Sequence, residues 1–119
     1  MGFTTVMVEI SNLEASERAA TLSMLVDSGA SSSVVPTRVL RRIGVRPSGW
    51  DVFTLADGRR IRRQVGAVWF RIGRRRAASG VIFGRRGDDT LLGVVALEEL
   101  RLTVDPQAGK LHPVGPGRL

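Results

Sequence analysis

Apolar residues in this chain recur at every second position, and that period constrains its fold more than any other feature. From Phe3 to Ile10, Thr4, Val6, Val8 and Ile10 alternate with Phe3, Thr5, Met7 and Glu9. Further on, Val68, Phe70 and Ile72 face away from Ala67, Trp69 and Arg71. A two-residue period describes strands with one buried face, not helices. The chain of 119 residues has 43% hydrophobic and 24% charged residues. It is therefore a single domain with one modest core.

Strands are expected over Phe3–Ile10, Arg18–Val26, Asp51–Leu55, Ile61–Ile72, Ala77–Phe83 and Leu102–Val104, with a further extended stretch over Lys110–Val114. Ser11–Glu17 is polar enough for a turn. Asp57-Gly58 lies between extended arms, where the tight turn favours residues that accept positive φ. Gly73 and the Arg74–Arg76 run interrupt the alternation, and Asp105–Gly109 has turn composition. Pro36 suits the first turn of a short helix over Thr37–Ile43, which Gly44 ends. A second short helix is expected over Val94–Leu100, with Ala96, Leu97 and Leu100 inward. The domain spans residues 1–114, and the glycine- and proline-rich residues 115–119 form a frayed tail.

Several function classes recede on composition. The chain has no cysteine, so thiolate chemistry and disulfides are excluded. Met1–Thr5 lacks the basic and apolar regions of an export signal, and no apolar run approaches a membrane span. A soluble cytoplasmic protein is the expectation. The net charge is +7, almost all from arginine, with Lys110 as the sole lysine. Scattered basic pairs and few aromatic residues argue against nucleic acid as a partner. His112 is the only histidine, and no serine–histidine pair or zinc cluster can be built around it. Asp57 and Asp105 are turn formers, and Asp88 and Asp89 are solvated loop acids.

One segment carries chemistry. The apolar end Met24-Leu25-Val26 runs directly into Asp27-Ser28-Gly29-Ala30-Ser31. An acid at the end of a buried strand needs hydrogen bonds to hold it. A turn of small residues supplies backbone amides and the Ser28 hydroxyl, while Gly29 permits close approach of a ligand backbone.

The stretch from Met24 through Ser33 to Val34-Val35 resembles the active-site segment of retroviral-type (retropepsin-like) aspartic proteases. Leu91-Leu92-Gly93, followed by a helix and Leu102-Thr103-Val104-Asp105, resembles that family's second signature. The hairpin around Asp57-Gly58 falls between them, where the family has its flap. The likeness is greatest to compact, stand-alone bacterial members.

The resemblance implies a mainly β, single-lobe, closed barrel-like fold with one or two short helices, working as a homodimer. It implies an aspartic endopeptidase in which Asp27 from each copy holds a water, one carboxylate acting as base and its partner as acid. Ser28, Gly29, Leu92 and Gly93 would support the loop. Gly29, Ala30 and Ser31, with Ala56, Asp57 and Gly58 of the flap, would bind an extended peptide by strand addition. No metal or cofactor is implied.

Two departures stand out. The flap is basic: Arg59, Arg60, Arg62 and Arg63 crowd one arm. Part of this set faces the cleft and favours acidic peptides, or the whole set is a solvated face. Pro113 and Pro116 should limit strand pairing beyond about Leu111. The competing reading is a silent or regulatory peptide-binding module on the same fold.

Overall fold

The computed structural model describes residues 4–105 and 107–117. Phe3 of the first expected strand, Pro106 of the last turn, and Arg118 and Leu119 of the tail lie outside the described residues. The elements are β1 (Thr4–Ser11), β2 (Ala19–Val26), β3 (Ser33–Pro36), α1 (Thr37–Arg42), β4 (Gly49–Thr54), β5 (Arg60–Ile72), β6 (Arg75–Gly84), β7 (Leu91–Leu92), α2 (Val94–Glu99), β8 (Leu102–Asp105) and β9 (Lys110–Pro113).

Seven strands form one sheet in the order β1-β2-β7-β3-β6-β5-β4. A further pairing of β1 with β5 bends the sheet back on itself, leaving β4 outside the ring. Glu9, Ile10 and Ser11 lie opposite Arg71, Phe70 and Trp69 at that seam. A bidentate Glu9–Arg71 pair at 2.9 and 3.1 Å fastens it. Val8, Ile10, Met24, Val35, Val68, Phe70 and Leu92 are fully buried inside. The even-numbered face of β1 and of the C-terminal half of β5 thus supplies core. Each large side chain so buried contributes about 1.5–3 kcal/mol.

Strand β5 belongs to two structures. Its first half pairs with β4 from Thr54↔Arg60 to Gly49↔Val65, making a projecting hairpin. Its second half pairs with β6 from Val65↔Ile82 to Ile72↔Arg75 within the ring. Gly58, with φ +86°, turns the hairpin, closed by the Leu55 amide on the Arg59 carbonyl at 2.8 Å. Helix α1 stops at Gly44, with φ +78°.

Four expectations need correction. Ser33–Pro36 is a strand missing from the expected set, formed because β6 and β7 flank it. Strand β4 starts at Gly49, two residues before the expected Asp51, because Gly49 and Trp50 pair with Val65 and Gln64. Strand β6 starts at Arg75, because Gly73-Arg74 alone make the turn and a half-buried Arg75 followed by an exposed Arg76 is compatible with a strand there. Strand β9 pairs with β8 through Pro113, opposite Leu102. At the last rung the proline needs to donate no hydrogen bond, and Val114 donates to Arg101 instead at 2.9 Å. The β8–β9 hairpin forms its own two-stranded sheet. No helix among the described residues is long and apolar enough to cross a membrane.

Candidate active site

Strand β2 delivers Asp27 to a point where β7 holds the chain. The Leu25 amide donates to the Thr90 carbonyl at 2.9 Å, and the Asp27 amide donates to the Leu92 carbonyl at 3.1 Å. The chain then turns. The Gly29 amide donates to Asp27 Oδ1 at 2.9 Å, and the Ala30 amide to the Asp27 carbonyl at 3.2 Å. Asp27 is half-buried, whereas Ser28, Gly29 and Ser31 are exposed. Its carboxylate is thus oriented by the backbone and still within reach of a ligand.

The loop is supported from below by residues that follow it far along the chain. Leu92 is fully buried. The Gly93 amide donates to Ser33 Oγ at 3.0 Å in a buried setting. The Val94 amide donates to the Ala30 carbonyl at 2.8 Å, and the Val95 amide to the Ser31 carbonyl at 3.2 Å. A Cβ at Gly93 would lie 2.6 Å from the Ser32 carbonyl carbon and oxygen and 2.7 Å from the Ser31 oxygen. Only glycine lets α2 start so close to the loop. The first amides of α2 find their partners in the loop, so the same contacts cap the helix and shape the site.

Ala56, Asp57 and Gly58 sit exposed at the tip of the β4–β5 hairpin. Cross-strand partners share a face. One face carries Gly49/Val65, Asp51/Arg63 and Phe53/Ile61; the other carries Trp50/Gln64, Val52/Arg62 and Thr54/Arg60. The first face borders a cavity of about 300 Å³, shared with Ser31, Ser32 and Ser33. Arg60 and Arg62 therefore belong to the opposite face, where Arg62 lies 4.7 Å over the Trp50 ring. Arg59 bonds Asp57 at 2.7 Å. The Arg59 amide and guanidinium hold the Asp57 carboxyl below its ordinary range.

Arg63 is on the cavity face but makes a fork with Asp88, Nε to Oδ2 at 2.8 Å and NH2 to Oδ1 at 3.0 Å. This corrects the view of Asp88 as a solvated acid. Its hydrogen bonds to Arg63 lower its pKa, and partial burial opposes them. The arginine crowd is thereby divided between ion pairs and the outer face. His112 pairs with Asp105 at 3.0 Å, away from the loop contacts.

Sequence reasoning missed Ser33, the Val94 and Val95 amides, Phe53, and the Arg63–Asp88 fork. Ser33 left one signal: it shares alternation with Val35, which predicts an inward hydroxyl in need of a partner. The fork joins residues that nothing local relates.

The loop presents one carboxylate on a backbone frame, bordered by a projecting hairpin. The aspartyl protease family model matches residues 6–96, more than half of the chain and all of this frame. No curated protein matches the chain significantly. Among solved structures it is similar to an inhibitor-bound EIAV protease, at 21% identity and a TM-score of 0.63, covering 83% of this chain and 88% of that one. It is also similar to the simian foamy virus (mac) protease, at 21% identity and a TM-score of 0.55, covering 80% and 92%. The family match sets the membership and the structural likenesses set the form: the chain belongs to the aspartyl protease family and has the single-lobe, retropepsin-like fold.

Proposed function

We propose that this chain is half of a homodimeric aspartic endopeptidase, with Asp27 from each copy forming the catalytic pair. The observation that carries this reading is the frame of Asp27: a carboxylate fixed by the Gly29 amide, on a loop seated against Leu92 and Gly93. A costly frame around an accessible acid is what chemistry requires and what a turn does not. A hollow of about 290 Å³ beside Ser28, lined by Val94, Leu97, Leu102 and Val104 together with Glu98 and Thr103, supports a second copy at this face.

Across the pair, two carboxylates share one proton. The ionised one takes a proton from the water as it attacks the peptide carbonyl, and the protonated one polarises that carbonyl. Exposed Ser28 offers its hydroxyl across the interface. Gly29, Ala30, Ser31 and the tip residues Ala56, Asp57 and Gly58 bind the substrate backbone.

The test is cleavage of a diverse peptide library between about pH 3 and pH 8, comparing wild type with Asp27→Asn. Loss of activity by at least about 10²–10⁴-fold is expected. Activity that survives the substitution sinks the mechanism. A stable dimer that cleaves nothing would favour a peptide-binding role.

A further inference from the structure

The cavity between the hairpin and the catalytic loop has one charged wall. Among the described residues that line it, Asp51 alone carries a charge. Phe53, Val65 and Val81 give it apolar sides, while Ser31 and Ser32 join it to the loop that follows Asp27. Asp51 lies on β4, on the face of Phe53 and opposite Arg63.

Arg63 does not neutralise it. Nε and NH2 of Arg63 go to Asp88, and NH1 goes to the Arg62 carbonyl at 3.0 Å. Among the described residues, Asp51 Oδ1 accepts only the neighbouring Val52 amide, at 2.9 Å. Arg63 and Asp88 offset each other, which leaves the Asp51 carboxylate as the charge on the cavity wall. The outer-face arginines, Arg60 and Arg62, are on the far side of the hairpin.

We propose that Asp51 is a specificity-determining residue that selects peptides bearing a lysine or arginine side chain. This rests on the protease reading above. A long side chain with a terminal cation matches the cavity in both its parts. Its methylenes pack on Phe53, Val65 and Val81, and its cation meets the Asp51 carboxylate at the wall. The preference for acidic peptides that the arginine count suggests is reversed, because those arginines are paired or face outward.

The test uses peptides identical except at one position, carrying lysine, norleucine or glutamate there, scanned through the positions flanking the cleaved bond. Wild type should favour lysine over norleucine by about tenfold in kcat/KM at one position. Asp51→Asn, which keeps an acceptor for the Val52 amide, should remove that preference, and Asp51→Arg should turn it toward glutamate. Cleavage with no such preference, or with one that Asp51→Asn leaves unchanged, overturns the proposal while sparing the protease. A second arm measures binding of the same labelled peptides to Asp27→Asn by fluorescence anisotropy, with and without Asp51→Asn. Should wild type cleave nothing, the protease reading fails, and this arm alone decides whether Asp51 recognises a cation.

Discussion

The hydrogen of Gly93 occupies a place where no carbon fits. A Cβ there would meet the backbone of Ser31 and Ser32 at 2.6–2.7 Å, and backbone cannot swing aside as a flexible side chain can. Gly93→Ala should therefore destabilise the fold by about 1–3 kcal/mol, as core overpacking does. It should also displace the Asp27 loop and lower activity; an unchanged urea midpoint would show that α2 can retreat. Ser33→Ala should cost about 1–3 kcal/mol in the same assay, because it leaves the buried Gly93 amide without its acceptor. At this scale the sequence was partly transparent. Asp27 and Gly93 were recognisable as members of spaced motifs, whereas Ser33 looked like one serine in a run of small residues. Its importance comes from a partner 60 residues away.

Strands were legible wherever alternation lasted long enough to be seen. Val68, Phe70 and Ile72 announced β5, but four residues of β3 could not announce themselves. That strand exists because β6 and β7 lie on either side of it. The distribution of the hairpin arginines was hidden for a related reason: alternation separates two faces without saying which of them meets the rest of the molecule. The pairing register decides it, and the Arg63–Asp88 fork completes it by joining the hairpin to the loop before β7. Asp88→Asn should destabilise the protein by about 1 kcal/mol near neutral pH. Arg63 depresses the folded-state pKa of Asp88, so the stabilisation is complete above the unfolded carboxylate value of about 3.9. It is lost as pH falls through the depressed value. Urea melts of wild type and Asp88→Asn should stay separated from pH 7 down to about pH 4 and converge below it. A separation that grows on acidification would contradict this assignment.

As a whole molecule, the chain is a closed sheet with one short helix seated against the loop it supports, and a terminal hairpin of its own. Under the proposed function one copy holds half of the reacting groups. Cleavage per chain should then rise with concentration before levelling off. Adding excess Asp27→Asn to wild type should suppress activity through mixed pairs, and activity proportional to wild-type chains alone would rule out the shared site. The seat beneath Asp27 also has a consequence in time. Residues 90–95, through strand β7 and into the start of α2, supply the contacts that shape a loop synthesised more than half a chain earlier. Contacts so distant along the chain carry a large loop-closure entropy, which slows their formation. While the polypeptide is still emerging from the ribosome, Asp27 lies on an unframed segment. The Asp27 loop gains its frame only once residues 90–95 have been made, so a chain stopped short of them would carry the acid without its seat.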